Sequence, residues 1–252
     1  MATDSVDAVP SARSLGQLPG AREGRDPRRA IKRGPSRVPP EVIAANQRER
    51  LYDALVHTVA EKGYANATVS DICRAAGVTR PAFYALFAGK DDALIATYRH
   101  GTGLLFKIME DAYRAEPTWR AGTRAALRVL LHVLAELPAF ATTAVVEIDA
   151  AGPHGREERA RMLRRFDRFF ADAPRAADLP MPEELVETIV GGIYATVYRY
   201  VASGRVEQLP SLLPTIAYFT LVPFVGREEA ALELEPPALP GPAKPAECRI
   251  AP

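Results

Sequence analysis

The stretch Thr68 to Leu94, TVSDICRAAGVTRPAFYALFAGKDDAL, constrains the fold more than any other part of the chain. Thr68 opens a short helix, and Asp71 three residues on closes a capping box with the shorter acid in place of the usual Glu. Gly77 ends that helix after about two turns, since glycine accepts the left-handed backbone of a sharp stop. Thr79 caps a second short helix with Pro81 in its first turn, where a missing N–H costs little. Ile72, Val78, Phe83 and Phe87 share a small core, which leaves Thr79, Arg80, Ala82 and Tyr84 facing outward. Two short capped helices joined at Ala76, Gly77 and Val78 form a helix-turn-helix, a motif that can set its second helix in a DNA major groove.

The surrounding periodicity is helical. Leu51, Leu55 and Val59 recur at four-residue steps up to Gly63, and a long helix after Gly89 carries Leu94, Tyr98, Leu105, Ile108 and Ala112. Beyond Pro117 the pattern predicts helices over 119–137, 138–151, 155–172, 182–203 and 209–225, with no alternating strand pattern and no internal repeat. The expected fold is all-α with about nine helices. Residues 41–92 are expected to form the helix-turn-helix head, and residues 93–227 a larger helical body. Residues 1–40 are rich in Pro, Gly, Ser, Ala and Arg and are expected to be a disordered basic arm, and residues 228–252 a flexible tail.

Charge sharpens the expectation. The formal net charge is only +1, and the head balances Arg48, Arg50, Lys62, Arg74 and Arg80 against Glu41, Glu49, Asp53, Glu61 and Asp71. A neutral head lacks the usual phosphate-binding surplus, so the basic run Arg25, Arg28, Arg29, Lys32, Arg33 and Arg37 is assigned a share of the backbone contacts. Cys73 and Cys248 suggest neither a disulfide framework nor a metal cluster, and Cys73 reads as a small buried apolar residue. The first 40 residues carry no secretory pattern, and the expected location is the cytoplasm, at the nucleoid. Residues between Glu207 and Arg227 are uncharged and about long enough to span a membrane. Pro210, Pro214 and Pro223 favour a buried interface helix instead. His57, His100, His132 and His154 show no metal-binding spacing, so neither a metal, a cofactor nor catalysis is expected.

The stretch resembles the helix-turn-helix signature of the TetR/AcrR family of bacterial transcriptional regulators. The matching elements are Thr68 to Ile72, Ala76 to Thr79, Phe83 with Tyr84, and Phe87, Lys90 and Leu94. The resemblance implies base-edge and nearby backbone contacts from Thr79, Arg80 and Ala82. It also implies phosphate contacts from Tyr84 and Lys90, and a cap at Thr68 turned toward the DNA backbone. The sequence departs from the pattern at Leu86, where a polar or aromatic residue is common, and at Ala88-Gly89, where Ser often caps. The family further implies a homodimer through residues 182–225. Such a dimer reads a near-palindromic operator on double-stranded DNA with half-sites roughly 34–36 Å apart. Gly191 and Gly192 in mid-helix fit close approach of another helix. Phe106, Met109, Tyr113, Phe140, Phe166, Phe170, Tyr194 and Tyr198 stand on the helices that enclose an effector pocket in such regulators. A repressor released by a small apolar or aromatic effector is the expected function. The alternatives are a ligand-responsive activator and a helical adaptor that does not bind DNA specifically.

Overall fold

The structure, a computed structural model, describes residues 15–24, 39–174 and 182–234, and among these no strand is present. Helix α1 (Pro40–Lys62) starts behind Pro39 with proline at its first position and stops at Gly63. Helices α2 (Val69–Ala76) and α3 (Arg80–Tyr84) follow, and α4 (Lys90–Arg114) leaves the head and runs into the body. The body adds α5 (Trp119–Glu136), capped by Thr118, and the short α6 (Pro138–Ala141). A π turn over Thr142–Val146 and a 3-10 turn over Glu147–Ala151 continue α6. Then come α7 (Gly152–Arg164) with a 3-10 extension over Arg165–Phe170, α8 (Leu185–Ala202), α9 (Leu213–Val225) and α10 (Arg227–Ala231).

The predicted helix over 209–225 is in fact two pieces. Pro210 sits in a 3-10 turn (Val206–Leu212), and the α-helix proper starts at Leu213 with Pro214 in its first turn. By length and composition Val206–Val225 could cross a bilayer. Its Leu209, Leu213, Ile216, Ala217 and Leu221 are buried, while Phe219 is 46% exposed, so one face packs on the core and another stays uncovered.

One apolar core runs through head and body without a break. Leu51, Leu55 and Ile72 of the head and Leu94, Phe106 and Leu131 of the body belong to the same cluster, so α1 packs on the body as well as on α2. Burial of this shared apolar surface, worth about 25 cal/mol per Å², holds head and body together.

Both ends of the described chain correct the sequence expectation. Residues 15–24, placed in the disordered arm, lie folded on α1. Leu18 is fully buried, the Gly20 amide donates to Asp53 at 2.9 Å, and Arg22 bridges Glu49 and Asp53. Composition averaged over 40 residues hid one well-placed leucine and a buried acceptor. The expected basic run Arg25 to Arg37 lies outside the described residues. At the other end α10 buries Ala230, and Glu233 is gripped by Arg120 and Arg124 of α5. The folded body therefore extends to residue 234, and the remainder of the expected tail lies outside the described residues.

Candidate nucleic-acid interface and effector cavity

The helix-turn-helix is built as the residues require. The Asp71 amide donates to Thr68 Oγ at 3.1 Å and the Thr68 amide donates to the Asp71 carboxylate at 3.2 Å, the reciprocal capping box. The Thr68 hydroxyl, Lys62 and Arg74 also hold the Asp71 carboxyl, which lies far below the usual carboxylate range, chiefly through the Thr68 hydrogen bond. Gly77 has φ 61 and ψ 36, the left-handed conformation that a side chain would strain. Arg50 holds this turn from beneath, donating to the Gly77 carbonyl at 3.2 Å and to the Gly24 carbonyl at 3.2 Å. The Ala82 amide donates to Thr79 Oγ at 3.3 Å and starts α3.

Phe83 is fully buried against Phe87, with ring centroids 5.5 Å apart, and Phe87 in turn lies 6.1 Å from the Tyr52 ring of α1. Thr68, Thr79 and Arg80 are exposed, and Tyr84 is 49% exposed although its ring meets Phe83 edge-on. No ion pair engages Arg80 among the described residues. Ala82 is half-buried and partly packed on the core, and Leu86 likewise turns inward, which accounts for the apolar residue there. Lys90 is committed inside the protein. Its ammonium donates to the Tyr64 carbonyl at 2.7 Å and the Ala67 carbonyl at 2.9 Å, and lies 4.1 Å from the Tyr64 ring centroid. That lysine joins the start of α4 to the loop before α2. Cys73 is buried, and burial raises its thiol pKa, which disfavours the reactive thiolate.

In the body, an apolar cavity of about 60 Å³ lies between α4, α5, α6, α7 and α8. Of the eight predicted pocket residues, Phe106, Phe140, Phe166 and Tyr194 line it. The other four lie elsewhere. Met109 is buried outside the cavity, and Tyr113 packs edge-on against Phe169 at 5.5 Å. Phe170 packs with Phe224 at 5.6 Å and beside Trp119, while Tyr198 is 41% exposed. Aromatic character alone could not separate lining from filler. Leu130, Leu134, Val190 and Val197 also line the cavity and look like any core position in the sequence.

Tyr194 donates its hydroxyl to the Val145 carbonyl at 2.8 Å, and burial pushes its pKa up to about 12. The Arg165 guanidinium lies 4.1 Å from the Phe106 ring centroid and that of Arg168 lies 5.5 Å from it, with Arg168 also paired to Glu110. Burial, and then the neighbouring Arg168, lower the Arg165 pKa. Among the described residues no three His, Cys, Asp or Glu side chains converge as metal ligands.

Residues 51–97 match the family model of bacterial regulatory proteins of the tetR family. The fatty acid metabolism regulator protein of Bacillus subtilis (strain 168) is 33% identical over 69 residues, 27% of this chain. That alignment spans 36% of the relative's own length. Among solved structures, the fatty acid degradation regulator FadR from Bacillus halodurans superposes with a TM-score of 0.63 at 20% identity, covering 76% of this chain and 97% of that one. FadR from Bacillus subtilis, in complex with stearoyl-CoA, superposes with a TM-score of 0.60 at 21% identity, covering 70% and 97%. At these identities the two structures show a shared fold. Residues 51–97 thus match the head of bacterial regulatory proteins of the tetR family, and the chain shares the all-helical fold of these solved regulators.

Proposed function

We propose that the protein is a dimeric, sequence-specific DNA-binding repressor that a long-chain apolar compound releases from its operator. The observation that carries this reading is the exposed edge of α3. Thr79, Arg80 and Tyr84 stand outward on a short capped helix whose opposite side is locked by Phe83. A helix held so rigidly can present Arg80 to base edges and the Tyr84 hydroxyl to phosphate. Thr68 and Ala82 flank this set. Lys90 acts first as the clamp between head and body.

Pairing is supported by the last two helices. Phe219 is 46% exposed on the uncharged α9, and its ring lies over Gly192, where an added Cβ would stand 3.2 Å from it. An added Cβ at Gly191 meets nothing within 4 Å, so that part of α8 is open to a second copy of the chain. Tyr198 borders the same face and belongs to the pairing surface rather than to the cavity.

The effector reading rests on an apolar cavity with two arginines beside one of its walls, together with the stearoyl-CoA bound to the Bacillus subtilis FadR. An acyl chain in the cavity and an anionic end near Arg165 and Arg168 would suit this arrangement. The cavity of about 60 Å³ is far below the roughly 300–1,000 Å³ of ligand sites, so an effector must push its walls apart. That requirement links binding to a change of body shape.

Selection of bound sequences from random DNA tests the reading, followed by addition of stearoyl-CoA to the purified complex. The expected result is a near-palindromic consensus and release by the acyl compound. Recovery of no consensus at low salt would favour an adaptor role and overturn the DNA reading.

A further inference from the structure

The segment from Phe140 to Glu147 faces two ways. Phe140, Ala144 and Val145 line the cavity. Thr143, between them, directs its hydroxyl to the Ala139 carbonyl at 2.9 Å and lies 3.3 Å from the Val56 carbonyl of α1. Glu147 accepts the backbone N–H of Tyr64 at 2.8 Å, in the loop that joins α1 to α2. Lys90 grips the carbonyl of the same Tyr64, and Asp91 takes its hydroxyl, so that loop is fixed at once to the body and to the start of α4.

The segment is also irregular. At Thr142 the helix loosens into a π turn, closed by the Glu147 N–H on the Thr142 carbonyl, and then tightens into a 3-10 turn. A π turn holds one residue more than its α counterpart and is frequent at functional positions. A one-residue change of register would rotate everything after it by about 100°. Glu147 therefore closes the irregular turn with its backbone and holds the head with its side chain.

We infer that the segment Phe140–Glu147 is the coupling element between cavity and head. Filling the cavity displaces Phe140, Ala144 and Val145, shifts the π turn and withdraws the Glu147 carboxylate from the Tyr64 amide. The α1–α2 loop that leads into the helix-turn-helix then loses its hydrogen-bonded anchor to the body, while the apolar core still holds α1. This deepens the effector-release reading above, but its test needs neither DNA nor effector.

Hydrogen exchange at the Tyr64 amide, measured on the full chain alone, provides that test. Glu147→Ala should speed exchange at Tyr64 about fivefold, the value of one lost hydrogen bond. Glu147→Gln, which keeps an oxygen acceptor, should stay near the parent rate. Ala144→Leu, which fills the cavity from the same segment, should speed Tyr64 exchange as Glu147→Ala does, while buried α5 amides such as Leu131 stay protected. If Ala144→Leu proves unfolded, Val145→Ile adds a single methyl to the same wall and serves in its place. The coupling is overturned if the cavity-filling variant leaves Tyr64 at the parent rate, or if Glu147→Ala does. Because no DNA is present, either failure leaves the operator reading untouched. Loss of the operator reading would equally leave this measurement standing.

Discussion

Glu158 of α7 shows how a single side chain joins the linker helix to the body. It is 7% exposed, accepts from Arg99 Nε at 2.9 Å on α4 and also pairs with Arg161. The Arg99 hydrogen bond, followed by the charges of Arg99 and Arg161, holds its carboxyl below the ordinary 4.5 against the opposing effect of burial. A depressed folded-state value means the unfolded chain takes up the proton first. The pair's contribution is therefore fully present above about pH 4.5 and is lost as pH falls through the lower, folded value. Denaturation followed across this acid range should show a shallower decline for Glu158→Gln than for the parent protein. Parallel declines would mean that the pair has no energetic role. Asp71 titrates in the same direction in both proteins, so the difference between the two curves isolates Glu158.

At the scale of elements, what was legible in the sequence followed from local rules. Thr68, Asp71, Gly77, Thr79 and Pro81 act through hydrogen bonds within four residues, and the head they predicted is the head observed. The three-residue match of Phe83, Phe87 and Leu94 to the core follows from helical spacing. Long-range features were not legible. Nothing local marks Lys90 as a donor to the carbonyls of Tyr64 and Ala67, or Leu15–Gly24 as a strap on α1, because the partners lie tens of residues away. The cavity was half legible, since helical periodicity says that Phe106 and Phe170 face inward but not which of them borders empty space.

The strap makes a sharp prediction. Leu18 is fully buried, so Leu18→Ala should cost about 3 kcal/mol of stability, within the range for leucine truncation in a packed core. Urea titration with circular dichroism as the signal measures it, and an unchanged midpoint would return residues 15–24 to the status of a free arm. It also means that truncating the chain to residue 37 would damage the core. The charge of Arg25 to Arg37 is better examined by neutralising those arginines and following the salt dependence of DNA binding.

At the scale of the whole molecule the proposed function needs two copies. In that proposal one head reads one half-site, and the apolar, partly uncovered surface of α8 and α9 offers the place for a partner. Gly191 separates the possibilities. Within one chain its missing side chain faces open space, so Gly191→Leu should leave the fold intact and even favour the helix by about 1 kcal/mol. In a pair built on this face the same leucine obstructs close approach. Sedimentation should show the variant as a folded monomer where the parent is a dimer. A variant that still pairs as tightly would place the interface elsewhere.

The helix led by Thr79 is the proposed DNA-reading element. Its most direct test is the affinity of the double variant Arg80→Ala with Tyr84→Phe for the selected consensus duplex, compared with a scrambled duplex, by fluorescence anisotropy. Loss of the Arg80 base contact should cost about 1–3 kcal/mol of sequence-selective affinity, and loss of the Tyr84 hydroxyl should weaken both duplexes alike. The circular dichroism spectrum should be unchanged. A folded double variant that distinguishes the two duplexes as well as the parent does would contradict the account.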